Sequence, residues 1–281
     1  MIPLPPLALG QRLSLLAIRM GLRSIDAVST RAAARAAAQL FLRPPRPPFS
    51  RNVAGEAARV ELSTGSGRAL AWQYGAGPCV YLLHGWGGRG FQLSSFVGPL
   101  VAAGRTAVLL DAPGHGDAGG RLSSVPAFAQ TLRAATDRFG PAAGVIAHSL
   151  GAMGAIVALA DGLQIDRVGL LAPGSSVEEA TARFQRIVAL PDETIAELKR
   201  QMEARFKVSW ARYSLEQLKL TVPVLAVHDV ADPEVSIAET RELVRQWAGA
   251  RLHETQGLGH FRPMRNPEVI AAVVQFITAR A

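Results

Sequence analysis

Short apolar runs alternate with helical patterns along the chain from about Ala57 onward, and this alternation strongly limits the possible fold. An opening hairpin is predicted at 60–62 and 69–74, around the glycines of 65–67. Buried strands are then predicted at 80–83, 107–110, 145–147, 168–171, 222–227 and 252–255, with helices at 125–139, 150–160, 237–247 and 267–279. This order predicts the α/β class, with a mainly parallel, doubly wound sheet that helices cover on both faces.

One segment interrupts the alternation, between the strand that ends near Leu171 and the strand that begins near Val222. Its length of about 50 residues far exceeds the dozen that a crossover helix needs, and apolar residues recur in it at helical spacing. Ser175 and Ser176 are each followed three residues later by a glutamate, which indicates the start of a helix. We therefore expect a small helical lid at about 174–220, over the carboxyl ends of the strands.

The net charge of +8 comes mainly from the beginning of the chain. Nine arginines and only two carboxylates lie in residues 1–60, whereas the rest of the chain is almost neutral. Because the body is neutral and lacks a recognition motif, we expect no nucleic-acid partner. Residues 1–43 show a helical pattern, which the prolines of 44–48 end. The sequence therefore predicts a basic helical arm at 1–50 and an α/β domain at 51–281.

Two roles are open for the basic arm: a clasp packed on the main domain, or a peripheral contact with an anionic membrane surface. Its longest apolar stretch, 13–20, is shorter than the roughly 20 residues that span a bilayer. We expect no cleaved secretory signal, because the first arginine comes only at position 12. Cys79 is the single cysteine, so no internal disulfide demands an oxidising compartment. The expected location is cytoplasmic, with any membrane association limited to the surface.

Ser149 lies between an apolar strand pattern and an apolar helix pattern, in the sequence Ala147-His148-Ser149-Leu150-Gly151. Small residues two positions before and after a serine allow a sharp strand-to-helix turn that projects the hydroxyl into a site. Ala147 stands where this pattern more commonly has glycine. The strand before Ser149 and the helix after it identify this residue as the candidate nucleophile.

The strand at 80–83 ends in a glycine-rich loop, His84-Gly85-Trp86-Gly87-Gly88. A loop of this kind can present a backbone N–H to an oxyanion, and the first amide of the helix after the nucleophile can present a second. We therefore expect the amides of Trp86 and Leu150 to form an oxyanion hole. The alternative is that the glycines only form a turn.

A serine nucleophile needs a base, and the base needs an orienting acid. His260 lies on a glycine-flanked loop after the final strand, and it fits the chain order in which the histidine follows the acid. His253 lies within a strand pattern instead. Asp232 is the preferred acid, because it is on the loop beyond its strand, and Asp229 and Glu234 remain as alternatives.

Further residues are expected near the site. His84 and His148 adjoin the two turns, and we expect them to line the substrate pocket together with Phe184 and Trp210 of the lid. His115, in the loop at 111–116, is expected to have a structural role. We expect neither a metal ion nor a cofactor.

Together these segments resemble the α/β-hydrolase superfamily over about residues 57–281. The loop at 84–88 looks like its oxyanion motif, 111–116 like its Asp-x-x-Gly-x-Gly loop, and 147–151 like its nucleophile elbow, while Asp232 and His260 match the remaining triad positions. His228 and Asp229 stand where a glycine is frequent in this family. Four matching segments in the right order are specific for the fold and much less so for the substrate.

The resemblance and the residues together predict a serine hydrolase that cleaves a carboxylic ester, or a related acyl bond, through an acyl-enzyme. A small apolar ester or acyl compound is the expected substrate, because the lid segment carries Phe184, Met202, Phe206 and Trp210. A serine at the elbow argues against the haloalkane dehalogenases and epoxide hydrolases of the superfamily, which use an aspartate. The alternatives are a thioesterase, a C–C hydrolase or a perhydrolase on the same triad, and a noncatalytic ligand-binding protein of this fold.

Overall fold

The computed structural model describes residues 9–47, 57–174, 176–214, 218 and 221–279. The chain divides into two compact units. Unit 1 comprises Met1–Arg43 and Ser176–Gln217, and unit 2 comprises Pro44–Ser175 and Leu218–Ala281. The arm and most of the predicted lid segment, which are far apart in the sequence, therefore belong to the same unit.

Unit 2 is built on one eight-stranded sheet. Its strands are β1 (Ala58–Thr64), β2 (Gly67–Tyr74), β3 (Cys79–Leu83), β4 (Thr106–Asp111), β5 (Ala142–His148), β6 (Val168–Leu171), β7 (Val224–Asp229) and β8 (Ala250–Thr255). Their order across the sheet is β1-β2-β4-β3-β5-β6-β7-β8. The pairs β1–β2 and β2–β4 are antiparallel, and all other neighbours are parallel. The predicted α/β class with a mainly parallel sheet is confirmed.

Helices cover this sheet on both faces. They are α3 (Val97–Ala102), α4 (Val125–Phe139), α5 (Leu150–Ala160), α8 (Ile237–Gln246) and α9 (Pro267–Thr278), numbered in chain order, with 3₁₀ helices at Gly90–Phe96 and Arg262–Arg265. Alternate residues of β3 point to opposite faces. Val80 and Leu82 join the apolar cluster that contains Val273 of α9, whereas the Tyr81 hydroxyl donates to the carbonyl of Gly140, at the end of α4, over 2.6 Å. Both faces of the sheet are therefore buried at β3, all of whose residues are buried.

Helix α5, which follows Ser149, is apolar on all sides. Residues 151–158 are buried, because α5 packs against α4 as well as against the sheet. A helix enclosed in this way needs no polar face. The rigid surroundings fix the first turn of α5, where the candidate nucleophile lies.

Unit 1 consists of α1 (Leu9–Asp26), α2 (Thr30–Phe41), α6 (Val177–Val188), α7 (Asp192–Phe206) and a 3₁₀ helix at Trp210–Tyr213. Helix α2 buries Ala33, Ala34, Ala37 and Ala38, and it packs against α7. Hydrogen bonds join the two segments of the unit, since Thr194 Oγ1 donates to Asp26 over 2.7 Å and Gln201 Nε2 donates to the carbonyl of Arg31 over 3.1 Å. Ser176 caps α6 by accepting from the amide of Glu179, while Ser175 lies outside the described residues.

The division between the units lies at Pro44, whereas the sequence places the end of the arm near residue 50. The reason is Arg46, whose guanidinium donates to the carbonyls of Gly114, Ala118 and Gly120 over 2.8, 2.9 and 2.8 Å. These three acceptors belong to the loop after β4 in unit 2. The proline-rich segment is therefore bound to unit 2 through a side chain rather than through a regular element.

Candidate active site

Ser149 forms the turn between β5 and α5. Its backbone has φ 51° and ψ −120°, a conformation that residues other than glycine rarely adopt and that stores strain. Gly151 makes the turn possible, because a Cβ at this position would lie 2.3 Å from the carbonyl oxygen of His84. Ala147 has no left-handed backbone and is fully buried in β5, so alanine satisfies this position.

His260 bridges two side chains. Its Nε2 lies 3.0 Å from Ser149 Oγ, and its Nδ1 lies 2.7 Å from Asp232 Oδ2. Because a carboxylate only accepts, Nδ1 carries the proton and Nε2 can accept the proton of the hydroxyl. Glu234 Oε2 lies 4.0 Å from Nε2, on the serine side of the ring, and so does not compete for Nδ1. The arrangement matches a nucleophile, its base and its orienting acid.

Asp232 is surrounded by donors. Its Oδ1 accepts from the amides of Glu234 and Val235 over 2.7 and 3.0 Å, and His228 Nε2 lies 3.4 Å from Oδ2. Burial by itself raises the pKa of this carboxyl, but the hydrogen bonds from His228 and His260 outweigh it and hold the pKa of Asp232 well below its usual range. Asp232 therefore stays ionised at neutral pH.

The sequence shows His228 only as a departure from glycine and does not predict its contact with Asp232. Its Nε2 donates to the carbonyl of Val235 over 3.1 Å, and its Nδ1 lies 2.5 Å from Thr240 Oγ1, which donates to it. These two bonds fix the ring with its N–H towards Asp232. A polar residue within a buried strand end was the signal that marked this position.

Asp229 is occupied by other groups. Its Oδ2 accepts from the amide of Leu258 over 2.7 Å and from the Thr255 hydroxyl over 3.1 Å, and its Oδ1 accepts from the amide of Ala231. Burial favours a higher pKa, yet the backbone donors dominate and lower the pKa of Asp229. Asp229 thus holds the loop that leads to His260, and it is not bonded to the ring.

The two backbone turns of the predicted oxyanion hole meet at the serine. Leu150 is the first residue of α5, so its amide has no acceptor within the helix. Trp86 occupies a tight turn in which the Gly88 amide donates to the Gly85 carbonyl over 3.1 Å. A Cβ on Gly85 would lie 2.9 Å from the Cβ of Ser149, so only glycine allows this close packing.

His84 does not fit its predicted place in the substrate pocket. It is fully buried, and both ring nitrogens are used by the backbone. Nδ1 donates to the carbonyl of Gly85 over 2.7 Å, and Nε2 accepts from the amide of Ala112 over 3.2 Å. Burial lowers the pKa of His84 and keeps it neutral. The ring therefore links the glycine-rich loop to the loop after β4 through these two hydrogen bonds.

His148 also has a buried position rather than one open to a substrate. Its Nε2 donates to the carbonyl of His260 over 3.0 Å, while its Nδ1 has no partner among the described residues. Burial, assisted by the nearby His260, lowers the pKa of His148 to about 3. His148 therefore holds the backbone of the base in place as a neutral group.

A second buried polar cluster lies beside the glycine-rich loop. Asp111 accepts from the amides of Gly90 and Asp117 over 2.6 and 2.8 Å. The ring of His115 packs against Trp86 and Phe128, each at 5.1 Å, and its Nδ1 donates to the carbonyl of Pro113. Burial lowers the pKa of His115 to about 2.

The two lid residues predicted to line the pocket, Phe184 and Trp210, belong to unit 1, whereas Ser149, Asp232 and His260 belong to unit 2. Phe184 packs edge-on against Phe41 at 5.1 Å, and the Trp210 amide donates to Glu203 over 2.6 Å. Their place in the substrate pocket stays a prediction. Within the described part of the chain, no group of three or more His, Cys, Asp or Glu side chains is arranged to hold a metal ion.

The chain matches the model of the alpha/beta hydrolase family over residues 80–273, a range that contains Ser149, Asp232 and His260. The structure is similar to an esterase from Pyrococcus furiosus, with a TM-score of 0.64, 21% identity, and coverage of 83% of this chain and 98% of that one. It is also similar to an esterase from Exiguobacterium antarcticum (TM-score 0.57, 13% identity, 78% and 99% coverage) and to a meta-cleavage product hydrolase from Pseudomonas fluorescens (TM-score 0.59, 17% identity, 77% and 96% coverage).

At these identities the structural similarities establish the fold and leave the substrate open. The comparison with curated proteins found no match. The family model, however, covers more than half of the chain, including every segment from the glycine-rich loop to His260. This protein therefore belongs to the alpha/beta hydrolase family.

Proposed function

We propose that this protein is a serine hydrolase that cleaves a carboxylic ester through an acyl-enzyme. The observation that carries the proposal is the continuous line of hydrogen bonds from Asp232 through His260 to Ser149. The strained backbone at Ser149 adds support, since such strain costs about 1–3 kcal/mol and persists mainly where function uses it. A noncatalytic protein of this fold has no need of either feature.

In the first half of the reaction, Ser149 Oγ attacks the ester carbonyl while His260 Nε2 takes its proton. Asp232 remains ionised and stabilises the imidazolium that forms. The amides of Trp86 and Leu150 donate to the oxyanion of the tetrahedral intermediate. His260 then returns the proton to the alcohol oxygen, the C–O bond breaks, and the acyl group stays on Ser149.

In the second half, water takes the place of the alcohol. His260 accepts a proton from the water as it attacks the acyl-enzyme, and it returns this proton to Ser149 Oγ as the acid leaves. The same base and the same oxyanion donors therefore serve both steps.

An apolar substituent on the ester is favoured by the residue that follows the base. Phe261 is 49% exposed although it is large and apolar, and its ring lies 5.0 Å from that of His260. An exposed aromatic ring next to reacting groups offers a surface for an acyl or alcohol chain. This supports the predicted preference for small apolar esters.

Covalent labelling with a fluorophosphonate tests the proposal. The wild-type protein should be labelled, and Ser149→Ala should abolish the label. Ser123→Ala is the matched control, because Ser123 is a buried serine of unit 2 whose Oγ has no hydrogen-bond partner among the described residues. An unlabelled wild-type protein would contradict the enzyme proposal, and labelling of Ser149→Ala would move the nucleophile elsewhere.

The bond that is cleaved is tested separately. Turnover should be measured on nitrophenyl esters of increasing chain length, with acyl-thioesters and carbon–carbon-bonded diketones beside them. We expect the highest kcat/KM on an ester. A labelled protein that turns over only thioesters or diketones would retain the triad and overturn the ester assignment.

A further inference from the structure

The arm exposes an unusual amount of apolar side chain. Ten large apolar residues are exposed in the described part of the chain, and seven of them lie between positions 13 and 40. These seven are Leu13, Leu16, Ile18, Met20, Ile25, Val28 and Leu40. Scattered exposed apolar residues are normal, but a concentration in one short segment indicates an interaction surface.

Helix α1 has a less exposed side and an exposed side, and apolar residues lie on both. Leu15, Arg19, Leu22 and Asp26 recur at helical spacing and form its less exposed side. Arg19 donates to the carbonyl of Ile187 over 2.8 Å, so this side faces the rest of unit 1.

The outward side of α1 carries Leu13, Leu16 and Met20, which are 59%, 52% and 60% exposed. Their spacing of three, four and seven residues places them together on one face. A helix packed only against its own protein would place polar residues there. The composition of this outward face is therefore typical of a surface that binds a second apolar surface.

Positive charge adjoins these three residues. Arg12 and Arg23 are exposed at the boundary between the two sides, since they lie four residues before and seven residues after Leu16 and also seven residues before and four residues after Arg19. The single carboxylate of α1 is Asp26, which accepts from Thr194 on the inward side, and α2 has two arginines and no carboxylate. The outward face is thus apolar and is bordered by basic residues.

We propose that the outward face of α1, formed by Leu13, Leu16 and Met20 and bordered by Arg12 and Arg23, docks on an anionic lipid bilayer. The helix lies in the plane of the interface, with its apolar side chains in the acyl region and its arginines at the phosphates. No described helix is long and apolar enough to cross a membrane. A second copy is a poorer occupant, because symmetric pairing would bring like-charged arginines together.

The test is sedimentation of the full-length protein with vesicles. We expect binding to vesicles of phosphatidylglycerol and phosphatidylcholine at low salt, weaker binding as salt rises, and much weaker binding to phosphatidylcholine alone. The triple variant Leu13→Gln/Leu16→Gln/Met20→Gln should reduce the partition coefficient at least tenfold. Glutamine is a good helix former, so these exposed positions tolerate it. Val101→Gln/Val230→Gln is the matched control, because both valines are exposed on unit 2.

The contribution of charge is tested with the double variant Arg12→Gln/Arg23→Gln. Each arginine near an anionic surface contributes about fivefold to the partition coefficient, so the pair should cost about 25-fold on phosphatidylglycerol vesicles and little on phosphatidylcholine. Arg251→Gln/Arg265→Gln on unit 2 should leave binding unchanged. The proposal is overturned if the wild-type protein does not sediment with anionic vesicles at low salt. It is also overturned by a triple variant that binds as the wild type does, or by a wild-type dimer in analytical ultracentrifugation that this variant dissociates.

Discussion

Among the described residues of unit 2, two buried clusters of aspartate and histidine can be compared, and one of them contains the proposed nucleophile and base. In the reactive cluster of Ser149, Asp232 and His260, the ring bridges two side chains. In the framework cluster of Asp111, His84 and His115, the hydrogen bonds described above all go to the backbone. Residue type and burial are therefore shared, and what distinguishes the reactive cluster is a ring nitrogen that faces a hydroxyl.

The two clusters nevertheless depend on each other. Gly151 of the elbow approaches the carbonyl of His84 so closely that a Cβ would lie 2.3 Å from it, and Gly85 approaches Ser149 in the same way. The framework cluster thus fixes the loop against which the nucleophile turn packs. Changes in the reactive cluster should mainly alter turnover, and changes in the framework cluster should mainly alter stability.

The largest expected effect is the difference in kcat between variants of two neighbouring carboxylates, Asp232 and Asp229. Asp232→Asn should lower kcat about 10⁴-fold, as loss of the orienting acid does in serine-protease triads. Asp229→Asn removes part of the support of the His260 loop, and a misplacement of about 1 Å costs up to about 100-fold. Both variants should be assayed on one nitrophenyl ester together with their thermal unfolding. The opposite ranking of kcat would transfer the role of the acid to Asp229.

The next effect is expected in the framework cluster. Asp111→Asn leaves one oxygen to accept from two amides, those of Gly90 and Asp117, so one buried donor loses its charged acceptor. We expect a loss of about 3 kcal/mol in the free energy of unfolding, while kcat of the remaining folded enzyme changes severalfold at most. Urea unfolding and active-site titration measure the two quantities independently. A loss of kcat comparable to that of Asp232→Asn at unchanged stability would abolish the distinction between the clusters.

The framework cluster should also make stability dependent on pH. The pKa of His115 is about 2 in the folded protein and about 6.5 in an unfolded chain. Between these values the unfolded chain binds more protons, so stability falls as the pH falls below about 6.5. His115→Phe should remove about 2 kcal/mol of the stability difference between pH 7.5 and pH 5.

Urea unfolding at both pH values checks this, with His253→Gln as the control because His253 is an exposed histidine of β8. An unchanged pH dependence in His115→Phe would show that this ring does not remain neutral in the fold.

Ser149, Asp232 and His260 are singled out by the sequence and brought together in the structure, and each of them lies at the end of a local pattern. Strand runs before Ser149 and before Asp232 locate the sheet edge, and chain order selects His260. The choice between Asp232 and Asp229 depends on which backbone amides of the loop donate to each carboxylate oxygen. These hydrogen bonds leave no periodic pattern in the sequence, so the sequence does not predict them. The burial of His84 and His148 was missed for the same reason, since both follow strands as substrate-contacting residues also do.

The grouping of the arm with the 176–217 segment was equally beyond the sequence. The contacts that join them, such as Thr194 with Asp26, connect positions 168 residues apart. Each helix by itself shows only an amphipathic or alanine-rich pattern, and such a pattern does not name its partner. Local periodicity therefore predicts the elements, whereas their grouping depends on tertiary contacts.

The smallest effect is expected where the elbow departs from the common pattern. Ala147 has ordinary strand backbone, is fully buried, and pairs with Leu83 and Leu170 in neighbouring strands. Ala147→Gly should therefore restore the common motif without gain. We expect kcat/KM within about threefold of the wild type and a loss of roughly 0.5–1 kcal/mol in the free energy of unfolding, from the added freedom of the unfolded chain. Steady-state kinetics and urea unfolding measure both. A rise of tenfold or more in kcat would mean that the alanine displaces Ser149 from its working position. The backbone of the elbow, and not only the ring nitrogen that faces the hydroxyl, would then limit kcat.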